Sequence, residues 1–349
     1  METNFETNQN GINTYAEILS QPEIWDSAII VAESQRQKLE EIDLTQFDQV
    51  IFTGCGSTYY LSLSAAFTLQ QTTGIPARAV PASELLFSPD ALLTSGKTLL
   101  VALSRSGSTT ETVAAVNKFK NNDKGYVIAI SNYPEEALAG LADIALIIEA
   151  GQEQSVAQTR SFASMLVAAT TMTSILGRRN DWIGLLHKLQ AVGSRLITEY
   201  EPISRSIGQN INLDRFYFLG SGARFGLACE TNLKLKEMTL THSEPFHFFE
   251  FRHGPMAMVT PSTQIIGLYS EFNLRNEAQV MKEMKALGAH TLSLGETQAD
   301  INFNSGIPEV LQNVLFLPIL QLMAFHRSIH KGLNPDKPNN LSSVVTLDI

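Results

Sequence analysis

Residues 98–111 read TLLVALSRSGSTTE, and the organisation of the whole chain follows from that stretch. Residues 98–103 are an apolar run of buried-strand length. Ser104, Arg105, Ser106, Gly107, Ser108 and Thr109 then form a polar turn before a helical pattern resumes. Strand, hydroxyl-rich turn and helix in that order put the first N–H groups of the helix, and the positive end of its dipole, at the carboxyl edge of a parallel strand. An anion is favoured there. Hydroxyls at 104, 106, 108 and 109 suit a small phosphate, and Gly107 lets the backbone come close. The same residues also suit a turn whose Ser and Thr only cap the helix.

Working outward, residues 48–53 read as a second buried strand, followed by Gly54, Cys55, Gly56, Ser57 and Thr58 and a helical run to 70. Gly54 and Gly56 suggest a dinucleotide fingerprint, but Tyr59 stands where its third glycine belongs and no acidic residue follows at the expected interval. Ser57 and Thr58 make better sense as a second hydroxyl pair at the same sheet edge. Strands at 77–80, 126–131 and 144–147 alternate with helical stretches, which predicts an α/β domain with a parallel doubly wound sheet over residues 40–175. Residues 1–39 form a helical lead-in, read as a hairpin turned at Pro22, and 176–212 a helical connector. The pattern of 50–70 then returns: a strand at 216–219, Gly220, Ser221 and Gly222, and a helix through 238. Residues 264–269 match 98–103, but Ser270, Glu271 and Phe272 replace the phosphate turn, and a carboxylate there repels phosphate. The second domain, 213–333, keeps the scaffold and loses the turn; 334–349 is a tail.

What the second half supplies is charge. Glu230, Lys234 and Glu237 share one helix face beside Leu227, Thr231, Leu235 and Met238. A solvated face with an ordinary Glu230–Lys234 pair fits that spacing as well as an acid–base group does. Residues 246–255, FHFFEFRHGP, end in a turn carrying His253, suited to acid–base chemistry near neutral pH or to a structural bond within the turn. His326 and His330 have one-face spacing, yet no neighbouring carboxylate or cysteine in the sequence completes a metal set.

At 349 residues the chain is longer than one core usually supports, and 44% hydrophobic with 17% charged residues describes a globular protein. A net charge of −10 without clustered Lys and Arg argues against nucleic-acid binding. Two cysteines, Cys55 and Cys229, make no disulfide scaffold and fit a reducing cytoplasm. The start, METNFETNQNG, has neither the basic nor the apolar region of a secretory signal, and the apolar segment 310–325 is broken by Gln312, Asn313, Pro318 and Gln321, so no membrane partner is expected.

GCGST at 54–58, SRSGSTTET at 104–112, EQSVAQTRSF at 153–162, ETNLKLKE at 230–237, FEFRHGP at 249–255 and DKPNNLSSVVTL at 336–347 follow one another as in sugar isomerase (SIS) domain proteins with two tandem SIS domains. The chain resembles the isomerase half of glucosamine-6-phosphate synthase and, more closely, the SIS-type glucosamine-6-phosphate deaminases. That resemblance implies flavodoxin-like domains and a sugar-phosphate ligand. It puts phosphate-binding positions at Gly56, Ser57, Thr58, Ser104, Arg105, Ser106 and Thr109, and a sugar-contacting loop at Val156, Ala157 and Gln158. It also implies a proton-transferring Glu237 with Lys234 nearby, and a ring-opening His253 given across a homodimer interface; neither a metal nor an organic cofactor is required. Two departures bear on the reaction. The synthase has a glutaminase domain, whereas this chain opens on a helical lead-in without a cysteine before Cys55, so it is not expected to draw ammonia from glutamine. The synthase tail carries an imine-forming lysine where this one reads Asn340, Leu341, Ser342, Ser343. Both point to the degradative direction, glucosamine 6-phosphate and water to fructose 6-phosphate and ammonia. A fructosamine-6-phosphate deglycase or a galactosamine-6-phosphate deaminase or isomerase would use the same residues. A non-catalytic sugar-phosphate sensor ranks last, since Glu237 and His253 are both present.

Overall fold

The computed structural model describes residues 10–122, 125–344 and 347; readings that fall on 1–9, 345–346 and 348–349 lie outside the described residues. Helix α1 (Ile12–Ser34) opens it, followed by β1 (Gln49–Gly54), α2 (Ser57–Thr73), β2 (Ala77–Pro81), β3 (Thr98–Ser104), α3 (Thr110–Asn121), β4 (Gly125–Ser131), β5 (Ile144–Ile147) and α4 (Arg160–Leu176). Helix α5 (Leu189–Gln209) leads into β6 (Arg215–Gly220), α6 (Ala223–Thr239), β7 (His242–Phe246), β8 (Thr263–Leu268), α7 (Leu274–Ala286), β9 (His290–Gly295), β10 (Ile301–Asn302) and α8 (Leu317–His330). Strands β1 to β5 pair in the order β2-β1-β3-β4-β5 and β6 to β10 in the order β10-β9-β8-β6-β7, every pairing parallel. Read from β7, the second sheet repeats the first. Both are α/β doubly wound sheets of the flavodoxin-like order, whose ligand crevice lies where the strand order reverses, between β1 and β3 and between β6 and β8.

The repeat extends to the turns. Gly56 (φ 55, ψ −122) caps α2 and Gly222 (φ 59, ψ −132) caps α6, a left-sided conformation that a Cβ disfavours. All seven residues of β3 are buried, as a strand covered on both faces requires. One apolar core runs through both halves, from Phe52 and Leu69 through Phe162 on α4 and Leu227 on α6 to Phe216 and Leu320.

The N-terminal segment differs from the hairpin expected of it. Pro22 does not turn the chain; it is buried inside α1, where it removes the N–H that would bond the carbonyl of Ile18. Gln21 Nε2 donates to that carbonyl at 3.0 Å instead, and reaches Gln321 Oε1 on α8 at 2.6 Å. With Ile18, Trp25 and Ile29 fully buried, α1 is part of the packed body. No helix among the described residues is long and apolar enough to cross a membrane.

The two halves meet along α2 and α6. A Cβ on Gly226 would sit 2.5 Å from the Tyr60 carbonyl oxygen and 2.7 Å from the Ser64 nitrogen, so backbone touches backbone there. Gly226→Ala should therefore destabilise the protein by about 1–3 kcal/mol, read as a lower urea midpoint. Gly184→Ala, whose methyl meets nothing within 4 Å in the helix Ile183–Leu186, should leave the midpoint unchanged or slightly raised.

Candidate active site

The ladder pairs Thr53 with Ala102, so the turns after β1 and β3 open side by side at one sheet edge. After β3, three hydroxyls converge: Ser104 Oγ lies 3.1 Å and Ser106 Oγ 3.5 Å from Thr109 Oγ1. Gly107 N–H donates to Ser104 Oγ at 3.1 Å and Ser108 N–H to Ser106 Oγ at 3.2 Å. The cluster sits at the start of α3, where backbone N–H groups point outward. It is a cradle of small donors at a helix N-terminus, the arrangement that suits a phosphate.

The neighbouring turn is put to other uses. Thr58 Oγ1 donates to the Cys55 carbonyl at 2.9 Å and accepts from Cys55 N–H at 3.0 Å, which closes the glycine turn. Ser57 Oγ donates to Glu230 Oε1 at 3.2 Å, across the junction of α2 and α6. The Arg105 guanidinium is 7% exposed and directed away from the turn: it donates to the carbonyls of Ser155 (3.3 Å), Val156 (2.9 Å) and Ser343 (2.7 Å) and lies 3.7 Å from Glu153. Of the expected phosphate positions, the structure gathers Ser104, Ser106 and Thr109 into the cradle, while Arg105 ties the 153–158 loop to the tail.

Three carboxylates absent from the sequence reading hold that loop. Glu17 on α1 accepts from the N–H groups of Gln154 (2.6 Å) and Ser155 (3.3 Å), and burial, reinforced by the charge of Glu153, pushes its pKa up. Glu153 accepts from Thr159 N–H and Oγ1, each at 2.7 Å, at the start of α4. The Asp336 carboxylate accepts from Thr14 N–H and Oγ1 at 2.7 Å, and its backbone carbonyl accepts from Val156 N–H of the loop at 2.9 Å. The sequence hides the contacts of Glu17 and Asp336 because their partners lie more than a hundred residues away. Leu347 N–H reaches Thr110 Oγ1 at 3.1 Å, so the tail crosses the start of α3 beside the cradle. Ala157 is buried, and the Oε1 atom of Gln158 is buried without a partner.

From the other half, α6 delivers the charged row. Glu230 and Lys234 are 0% and 1% exposed, which settles between the two readings of this face: α2 covers it, and it is not solvated. Lys234 Nζ lies 3.6 Å from Glu230 Oε1 and hydrogen-bonds Glu237 Oε2, and the Glu237 side chain keeps an opening of 18% to solvent. Burial pushes Glu230 up to about 8, with the nearby ammonium only partly opposing it. Burial disfavours the charged form of Lys234, but Glu230 and Glu237 outweigh it and its pKa is raised. Near neutrality the row therefore holds a protonated Glu230 and a charged Lys234, with Glu237 at the solvent side.

His253 is exposed in the loop after β7, and among the described residues no hydrogen bond, ion pair or ring contact joins its side chain to Glu237 or the cradle. His326 does meet a carboxylate, Glu201, at 3.1 Å, but among the described residues no group of three or more His, Cys, Asp or Glu is placed to hold a metal.

The SIS domain profile matches residues 43–175 and 211–301, one stretch over each sheet. The chain belongs to the SIS domain family. A glutamine–fructose-6-phosphate aminotransferase (isomerizing) of Pyrococcus horikoshii is 30% identical over 95% of this SIS chain and 57% of its own length, so the chain spans little more than half of that relative. The solved structure of a glucosamine-6-phosphate deaminase from Thermotoga maritima superposes with a TM-score of 0.81 at 28% identity, covering 96% of this chain and 100% of that one. A tagatose-6-phosphate ketose/aldose isomerase from Escherichia coli, at 24% identity and a TM-score of 0.82 over 93% of this chain and 95% of its own, shares the fold.

The carboxyl buried on α6 gives this SIS chain a pH signature. An unfolded Glu titrates at about 4.3, whereas folded Glu230 holds its proton to about 8. Its raised pKa favours the folded state at low pH, and that stabilisation is lost as pH rises through the folded value. Glu230→Gln, neutral and nearly isosteric, removes the dependence. Melting temperatures of wild type and variant should therefore diverge in the variant's favour as pH rises from about 4.3 to about 8 and then level off, and a difference that stays constant across that window would contradict a buried neutral Glu230.

Proposed function

We propose that this SIS protein is an amino-sugar-phosphate isomerase and deaminase that converts glucosamine 6-phosphate and water into fructose 6-phosphate and ammonia. The observation that carries the reading is a hydroxyl cradle suited to phosphate at the first switch point, whose neighbouring turn is joined through Ser57 to Glu230 of a buried Glu–Lys–Glu row suited to proton transfer. The likeness to the Thermotoga maritima deaminase over the full length of that chain supports the same direction.

In this account Ser104, Ser106 and Thr109 hold the phosphate, and the loop at Val156, Ala157 and Gln158 borders the sugar. Holding the far end of the substrate positions C1 and C2 without taking part in the chemistry. His253, exposed in its loop, serves the site of a second copy in a homodimer and moves a proton from the O1 hydroxyl to the ring oxygen to open the pyranose. The Glu237 carboxylate takes the proton from C2 and returns it to C1, through an enolamine, while a proton gained at O1 is balanced by one lost from the nitrogen, so that C1 becomes an alcohol carbon and C2 an imine. Lys234, hydrogen-bonded to Glu237, orients its carboxylate for that transfer. Water adds to the C2 imine, both of its protons pass to the nitrogen, which leaves as ammonia, and the water oxygen remains as the C2 carbonyl. The nitrogen is the substrate's own, and Ser343 stands where the resembled synthase has its lysine.

A coupled assay for fructose 6-phosphate and ammonia tests this directly. Glucosamine 6-phosphate should yield both in equal amounts; formation of neither overturns the reading. Glu237→Gln should retain sugar-phosphate binding and lose about 10² to 10⁴ in kcat, the usual worth of a positioned proton transfer. Ser104→Ala with Ser106→Ala removes two hydrogen bonds to a charged group, each worth about 1.5–3 kcal/mol, and should raise KM about a hundredfold or more. An unchanged KM would move the phosphate elsewhere.

A further inference from the structure

The second sheet has its own switch point, and there the residues differ. After Gly222, Ala223 and Arg224 stand where Ser57 and Thr58 follow Gly56. A cleft of about 150 Å³ opens at this edge, between the start of α6, the segment after β8, residues 309–313 and the outer face of α2. At about 30 Å³ per water it has room for about five waters, the scale of a monosaccharide and well short of a nucleotide.

Its polar lining is incomplete. Arg224, 9% exposed, pairs with Glu309 at 2.8 Å through Nη1, but its Nε is buried with no partner. Asn313, 2% exposed, donates through Nδ2 to Thr68 Oγ1 (3.4 Å) and the Val310 carbonyl (3.5 Å), yet its Oδ1 is buried with no partner. Two residues of the cleft lining thus each carry a buried polar atom without a partner, one a donor and one an acceptor, each costly to leave unpaired. A hydroxyl both donates and accepts, so a ligand with several hydroxyls satisfies both.

Charge narrows the ligand. Around the single guanidinium lie Glu309, Glu271, whose N–H donates to Glu309 at 3.0 Å, and Glu277, which accepts from Ser270 N–H at 2.6 Å. Burial raises the pKa of both Glu271 and Glu277, with Glu309 adding to each, as expected of carboxylates crowded together. A phosphate is repelled where a neutral or aminated ligand is not. On the rim, the rings of Phe67 and Phe272 are 48% and 92% exposed, offering apolar faces to the C–H side of a sugar ring.

We propose that this cleft is a second ligand site, for an unphosphorylated polyol of monosaccharide size that is neutral or carries an amine, with hydroxyls meeting Arg224 and Asn313 and the ring against Phe272. It lies apart from the phosphate cradle, and its test does not depend on the reaction proposed above.

The experiment is calorimetric or saturation-transfer titration of the full chain with glucosamine and with glucose. Both should bind saturably at millimolar concentration or tighter. Phe272→Ala, a change at an exposed ring that leaves the core intact, and Arg224→Lys, which keeps the charge and removes Nε, should each weaken binding by about tenfold, while Ser104→Ala with Ser106→Ala leaves it unchanged. Absence of saturable binding, meaning a cleft filled by water alone, overturns the proposal. So does binding that the double serine variant abolishes and Phe272→Ala leaves intact, since the sugar would then occupy the first switch point.

Discussion

An ammonium at 1% exposure cannot stay charged unless carboxylates surround it, and the arrangement around Lys234 follows from that requirement. Glu237 one turn after it supplies the countercharge along α6, and Glu230 one turn before it lies 3.6 Å from the ammonium. Glu230 is itself buried and needs a donor, which comes from Ser57 in the other half of the chain. That contact requires α2 and α6 to approach until Gly226 meets the backbone of Tyr60 and Ser64, and the same approach brings the first switch point within reach of the second half's carboxylates. Losing one member of such a buried pair typically costs about 3–5 kcal/mol, so the row is a structural commitment as well as a chemical one.

Much of the fold was legible because buried parallel strands announce themselves as short apolar runs. The runs at 48–53, 98–103, 126–131 and 264–269 each fall on a strand to within one residue or so. Strand β7, HSEPF, lies at a sheet edge with four of its five residues polar or proline, and β10 has only two residues, so neither carries that signal. Pro22 misled because the sequence shows the broken backbone bond and hides its replacement, a glutamine side chain one residue away. Periodicity aligned Glu230, Lys234 and Glu237 on one face but could not say that α2 covers it. Arg105 is the clearest limit at the site. Beside serines in a phosphate turn it reads as a phosphate ligand, while its strongest contacts run to a carbonyl 238 residues away.

The two domains are the same scaffold put to unequal use. In the first, small hydroxyls after β3 leave the helix start open to an anion. In the second, Arg224 with Glu309, and Ser270 followed by Glu271, close the equivalent edge to one. The acid–base row sits further along α6, and the tail, fixed at Asp336 and again at Ser343, borders the cradle. What separates deamination from amination in this account is the source of the imine nitrogen.

The central claim is that this nitrogen comes from the substrate and that no lysine of the protein bonds to the sugar. Mass spectrometry of the intact protein after borohydride is added during turnover of glucosamine 6-phosphate tests it most directly, because borohydride reduces any protein–sugar imine to a stable adduct. The account predicts an unchanged protein mass. A sugar-phosphate increment on any lysine, with Lys234 beside Glu237 the first to examine, would contradict it.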